Sequence, residues 1–173
     1  MCSNSPAARN LFSCFEYKGN VRECIRRSKY NSMEFDALKD LTTAGLHYAW
    51  RAGIFYEGMF IVPAPLGRNR IKTRGFNQAE VIARKVSDFY KLDLATLGLK
   101  RGKETAPLAE LGRAERLEEM KEAFIADPKL VAGRRILLVD DVCTTGATLI
   151  SCSRALLAAG ASEVWCFTVA AVL

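Results

Sequence analysis

Two neighbouring carboxylates and the hydroxyl-rich turn behind them are where this sequence could do chemistry. Asp140 and Asp141 close an apolar run, Ile136-Leu137-Leu138-Val139, and lead into Val142-Cys143-Thr144-Thr145-Gly146-Ala147-Thr148. Adjacent ionised acids repel anions and suit neutral hydroxyl donors, such as those of a pentose. The turn offers the opposite environment. Its Thr hydroxyls, its small residues Gly146 and Ala147, and the unpaired N–H groups of a starting helix all favour a phosphate. A sugar phosphate therefore fits the stretch better than a nucleoside triphosphate, whose Gly-Lys-Ser/Thr pattern is absent. Helix capping accounts for one acid and one Thr, but not for both acids and all the Thr residues together.

A second group of charges is Arg68, Arg70, Lys72 and Arg74, with a cation at every other position. In an extended loop this spacing projects all of them to one side. The segment follows the short apolar strand Phe60-Ile61-Val62, halted by Pro63-Ala64-Pro65, and precedes a helix beginning near Asn77. It is expected at a strand's carboxyl end, on the same rim as the acid pair. Arg68, Arg70 and Arg74 are then the diphosphate-binding candidates, because a guanidinium meets phosphate oxygens two at a time. A nucleic-acid-binding arm and a charged strand edge share this pattern. Arg101 and Lys103 lie in a polar connection that could close over the site as a lid. His47, the single histidine, has no partner nearby in sequence and is not expected to be catalytic.

The elements that must position these groups can be read from periodicity. Continuous apolar runs before Asp140 and from Glu163 to Ala171 suit strands buried on both faces. Helices are expected over about 34–50, over 77–90 with Ala79, Ile82, Val86 and Phe89 inward, over 113–122, and after Gly146. Residues 92–99 read as a strand. Phe12, Phe15 and Tyr17 are expected to pack on the core. The short helix after Val21 turns Arg22, Arg26, Arg27 and Lys29 outward. Strand, acids, turn and helix in that order put the polar groups where open α/β sheets bind ligands.

The chain of 173 residues, half of them apolar and a quarter charged, suits one domain. Residues 1–16 are expected to be a flexible N-terminal segment and residues 17–173 the domain. The net charge of +6 favours anionic partners, either nucleic acid or a polyphosphate metabolite. No run is long enough for a membrane span and no signal-peptide layout opens the chain, so a cytoplasmic location without membrane insertion is expected. The 6 cysteines contain no C-x₂-C pair, so no zinc is expected, and Cys143 reads as a small core residue.

The stretch Arg135 to Leu149 resembles the phosphoribosyl diphosphate (PRPP) motif of type I phosphoribosyltransferases. A receiver-domain acidic pocket, the other resemblance of Leu138 to Asp141, is not expected this late in a chain. More of the sequence is similar to the ComF family of competence-associated, phosphoribosyltransferase-like proteins. The residues that carry this are Tyr17-Lys18-Gly19-Asn20-Val21, Lys29-Tyr30, Val62-Pro63-Ala64-Pro65-Leu66, Arg74-Gly75-Phe76-Asn77-Gln78-Ala79-Glu80, Arg101 with Thr105, Arg113 with Arg116, Ala123-Phe124, and the PRPP motif.

The resemblance implies a mostly parallel α/β sheet flanked by helices, with a small N-terminal or hood subdomain. It implies Asp140 and Asp141 on the ribose hydroxyls as catalytic groups that also stabilise an oxocarbenium-like state. Val142, Cys143, Thr144, Thr145, Gly146, Ala147 and Thr148 would surround the 5′-phosphate. Magnesium would arrive on the diphosphate. The implied activity is ribosyl phosphate transfer to a nitrogen nucleophile. The alternative is a non-catalytic role in DNA uptake, with single-stranded DNA or competence-machinery proteins as partners. A homodimer is compatible with either.

Overall fold

The computed structural model describes residues 10–29, 35–102 and 123–172. The elements run β1 (Asn10–Glu16), α1 (Gly19–Arg27), α2 (Phe35–Arg51), β2 (Met59–Pro63), α3 (Arg68–Arg74), α4 (Gln78–Tyr90), β3 (Leu99–Arg101), β4 (Phe124–Ala126), α5 (Pro128–Val131), β5 (Arg135–Cys143), α6 (Ala147–Ala158) and β6 (Glu163–Ala171). Four strands form one parallel sheet in the order β1-β6-β5-β2, and β3 pairs with β4 in a small antiparallel ribbon.

The apolar run before the acids explains the layering. Along β5, Ile136 and Leu138 face one core with Leu149, Cys152 and Leu156 of α6. Leu137 and Val139 face the other core, with Leu38 and Leu46 of α2 and Ile82 and Val86 of α4. A strand covered by helices on both sides needs apolar residues at every position, whereas a half-exposed one alternates. The four residues from Ile136 to Val139 are fully buried.

Several expectations change. Residues 10–16, assigned to a flexible segment, form β1, whose parallel pairing with β6 runs from Asn10↔Trp165 to Glu16↔Ala171. Between residues 92 and 99 there is no full strand, only a parallel bridge of Leu94 to Ile61, and Leu97 is 63% exposed. Arg68 to Arg74 is helical rather than extended. Its bounds are set by Gly67 before it and by Gly75, whose φ of 79° supplies the left-handed cap that ends the helix. The helix expected over 113–122 lies outside the described residues. Among the described residues no helix is long and apolar enough to cross a membrane.

The approach of α2 to β1 depends on Gly45. A methyl group there would fall 2.6 Å from Cys14 Sγ and 2.8 Å from Cys14 Cβ. Gly45→Ala is therefore expected to destabilise the chain by about 2 kcal/mol through overpacking, despite alanine's better helix propensity. Urea unfolding followed by circular dichroism checks this, and an unchanged or higher midpoint would contradict it.

Candidate functional site

Parallel strands place all their carboxyl ends on one rim, and a cavity of about 280 Å³ opens there. Its floor is the end of β5, contributing Asp140, Asp141 and Val142. Thr144 and Thr148, flanking the start of α6, form one wall. The lining also includes Ala64, Pro65 and Leu66 after β2, Arg70 and Arg74 of α3, Asn77 and Gln78 at the start of α4, and Arg101 of β3. Tyr17, just past β1, and Lys29, just past α1, also line it.

The acids are held by their own backbone. Asp141 N–H donates to Asp140 Oδ1 at 2.8 Å, and Val142 N–H donates to Asp141 Oδ1 at 2.7 Å. Lys29 Nζ lies 3.0 Å from Asp141 Oδ2. Burial, with the negative charge of Asp141 adding to it, pushes the Asp140 carboxyl up to about 7. Four cationic side chains, Lys29, Arg70, Arg74 and Arg101, line the cavity against these two acids. The site is thus electropositive overall, and more so while Asp140 keeps its proton.

Helix geometry sorts the cations of the 68–74 segment. Arg70 and Arg74, four residues apart, share the α3 face that meets the cavity. Lys72 is exposed and does not line it. Arg68 opens the helix. Arg101, expected in a mobile lid, instead ends the short strand β3, its guanidinium 5.7 Å above the Phe124 ring. Lys103 lies outside the described residues.

Within the motif, strand alternation separates neighbours. Val142 faces the cavity, whereas the Cys143 side chain is 5% exposed and belongs to the core, so it is not a contact from its thiol. Thr145 Oγ1 accepts from Ala147 N–H at 3.4 Å, and Gly146 caps α6 with a φ of 75°. Gly146 and Ala147 supply the open helix start rather than side chains. His47 is exposed and packs edge-on against Phe89, away from the cavity lining.

Four polar lining residues escaped the sequence reading as site groups: Tyr17, Lys29, Asn77 and Gln78. Asn77 is a brace. Its Oδ1 accepts from Ala79 N–H at 3.1 Å, and its Nδ2 donates to Ala64 O at 2.8 Å, tying the loop after β2 to the start of α4. Gln78 is 2% exposed, and its Nε2 has no partner among the described residues. The Arg101 Nε is buried and unpartnered in the same way. Buried N–H donors without a partner among the described residues, on two residues that line the cavity, call for an acceptor oxygen. Asn77→Ala is expected to cost about 1–2 kcal/mol, through the lost cap and the freed Ala64 carbonyl. Thermal melts read this, and an unchanged transition would argue against the bracing role.

Comparison with known proteins agrees with this architecture. Residues 71–173 match the phosphoribosyl transferase domain family. The chain is 36% identical over 162 residues to competence protein ComFC of Streptococcus pneumoniae, covering 94% of this chain and 62% of that protein. It is 36% identical over 108 residues to competence protein F of Haemophilus influenzae, covering 60% and 46%. It is 34% identical over 108 residues to the DNA utilization protein YhgH of Escherichia coli K12, covering 61% and 47%. The chain thus spans about half the length of the last two of these curated relatives and 62% of the first. A solved structure of the allosteric regulatory enzyme of purine biosynthesis shares the fold with a TM-score of 0.52 at 19% identity, covering 78% of this chain and 26% of that one. The chain belongs to the phosphoribosyl transferase domain family, as a ComF-type member.

Proposed function

We propose that the cavity binds PRPP and that the chain transfers its ribosyl phosphate group to a nitrogen nucleophile, releasing diphosphate. One observation carries this reading. Paired acids, a threonine-flanked helix start, and Arg70, Arg74 and Arg101 all line one cavity. That is the charge pattern of a pentose with phosphates at both ends. The carboxylates accept from the ribose hydroxyls. Thr144, Thr148 and the N–H groups of α6 hold the 5′-phosphate. The arginines, with the spare donor of Gln78, hold the diphosphate and stabilise its charge as the C–O bond breaks.

Among the described residues no group of three His, Cys, Asp or Glu side chains is placed to hold a metal ion. Asp140 and Asp141 are the acids on the cavity wall, which suits magnesium carried in on the diphosphate rather than by a protein cage. Once bound, the ion would neutralise part of the leaving group's charge. A diphosphate-release assay with PRPP, magnesium and candidate amines and bases tests the transfer. Release that depends on the nucleophile supports it, and tight PRPP binding with no release from any nucleophile would reduce the activity to binding.

A second reading, participation in DNA uptake through binding of single-stranded DNA, is favoured by the names of the relatives and by the net charge of +6. The basic face of α1 contributes less to it than its sequence suggests. Arg26 and Arg27 both bond to Glu23, whose carboxyl they pull down to about 2. DNA affinity that falls steeply with salt supports this role, and no binding at low salt removes it.

A further inference from the structure

We propose that Lys29 is a positioning residue for the acid pair: its ammonium, bonded to Asp141, keeps both carboxylates charged and free to accept ribose hydroxyls near neutral pH. The inference rests on the reading of the cavity as a PRPP site, and adds to it a residue that acts through Asp141.

Lys29 Nζ lies 3.0 Å from Asp141 Oδ2, and the two side chains are only 22% and 17% exposed, so water and salt screen the pair weakly. Helical hydrogen bonds continue past α1, from Ser28 N–H to Cys24 O and from Lys29 N–H to Arg26 O, and hold the lysine backbone in place. The helix itself is anchored by Ile25, which is fully buried. Docking of α1 therefore does not need a charge at position 29. Arg26 and Arg27 show the usual fate of a basic residue on this helix, since both bond to Glu23 one turn away. Lys29 reaches across to β5 instead. Its contact leaves room for a sugar hydroxyl: Asp141 Oδ1 accepts from Val142 N–H and Oδ2 from the ammonium, and a carboxylate has about four lone-pair sites.

Neighbouring carboxylates in a buried site disfavour each other's charge. Burial and then the charge of Asp141 raise the Asp140 carboxyl, while the Asp141 N–H and then the Lys29 ammonium lower it. The other cations lining the cavity are Arg70 and Arg74 of α3 and Arg101 of β3, and guanidiniums keep their charge throughout. The remaining titratable groups near the acids are the Tyr17 phenol and the thiols of Cys152 on α6 and Cys166 on β6. Burial raises both thiols, Cys166 to about 12, so they stay neutral. Removing the ammonium leaves the charge of Asp141 less neutralised, and the pair then holds its proton to a higher pH. A protonated acid offers fewer acceptor sites to the ribose hydroxyls.

Calorimetry on the full chain, from about pH 5.5 to about pH 9, measures ribose 5-phosphate affinity in the wild type, Lys29→Met and Lys29→Arg. The ligand's own phosphate titrates identically against all of them, so the differences between chains carry the result. Wild-type affinity is expected to rise with pH through a midpoint at about 7. In Lys29→Met the midpoint is expected to move up by about one pH unit, which weakens binding about fivefold at neutral pH and little at the alkaline end. Lys29→Arg keeps the charge and is expected to restore the wild-type midpoint. A residue that merely held α1 in place would weaken binding equally at every pH. That result, or a Lys29→Met profile that overlays the wild type's, overturns the positioning role while leaving the PRPP reading intact. Should Lys29→Met fail to fold, the wild-type chain still decides. The NMR shift of the Lys29 ε-methylene is expected to follow the titration of the acid pair, and a shift that stays flat through neutral pH overturns the role. A folded wild-type chain that binds no ribose 5-phosphate at any pH overturns the PRPP reading itself, and this role with it.

Discussion

Replacing both acids, Asp140→Asn with Asp141→Asn, is expected to lower PRPP affinity by at least about a hundredfold, since each carboxylate hydrogen bond to a ribose hydroxyl contributes on the order of 1.5–3 kcal/mol. The loss should appear equally with ribose 5-phosphate, which keeps both hydroxyls. Calorimetry at pH 8, where the Asp140 carboxyl is mostly ionised, gives the clearest contrast.

The same residue makes a stability prediction of opposite sign. Burial raises the Asp140 carboxyl from 3.8 to about 7, so the folded chain keeps a proton that the unfolded chain releases above pH 4. Stability from this group is complete below pH 4 and is lost as pH rises through about 7. Asp140→Asn alone removes that loss. Its melting temperature is expected to exceed the wild type's by roughly 3 °C or more at pH 8, with little difference at pH 4. An acid that costs stability where asparagine would not is what a binding role, rather than a packing role, would retain. A lower melting temperature at pH 8 would contradict this account of Asp140.

The second large effect concerns the arginines of α3. Arg70→Ala with Arg74→Ala is expected to weaken PRPP binding by about two orders of magnitude, because each guanidinium makes charge-assisted contacts to the diphosphate. Ribose 5-phosphate lacks that group, so its affinity is expected to change by less than about threefold, through long-range charge alone. The selectivity of the loss is the informative part. If both ligands weakened equally, the arginines would be acting on the 5′-phosphate or on folding, and their assignment to the diphosphate would be wrong. Both side chains lie on the α3 face that meets the cavity, so the double variant removes one patch rather than two scattered charges.

Which parts of this were legible in the sequence follows from how local each signal is. Ile136 to Val139, the acids and the turn after them could be read because a strand covered on both faces and a helix start each leave a contiguous signature. Glu163 to Ala171 was legible for the same reason. Arg68 to Arg74 misled because alternate cations suit a loop as well as a helix. The punctuation by Gly67 and Gly75 was the better signal, and it marks a helix whose i, i+4 pair meets the cavity. Residues 10–16 were grouped with a flexible segment because residues 1–10 are small and polar; pairing with β6 makes 10–16 a strand.

Tyr17, Lys29 and Gln78 needed the fold. Tyr17 has the composition of a core residue, and it does pack on the core, but its position just past β1 also turns it to the cavity. Lys29 sits in a run of basic residues, and nothing local says that it, rather than Arg26 or Arg27, meets Asp141. Gln78 carries no charge to attract notice, and its significance lies in a buried N–H left without a partner among the described residues. All three do stand inside the short runs that resemble ComF sequences, which was the available hint.

The most direct measurement is a calorimetric titration of PRPP into the full chain with saturating magnesium. The account predicts saturable binding at one site per chain, displaced by ribose 5-phosphate and by diphosphate separately, since each fills one half of the cavity. A chain that unfolds cooperatively, and is therefore folded, yet gives no saturable heat with PRPP at millimolar concentration would contradict it.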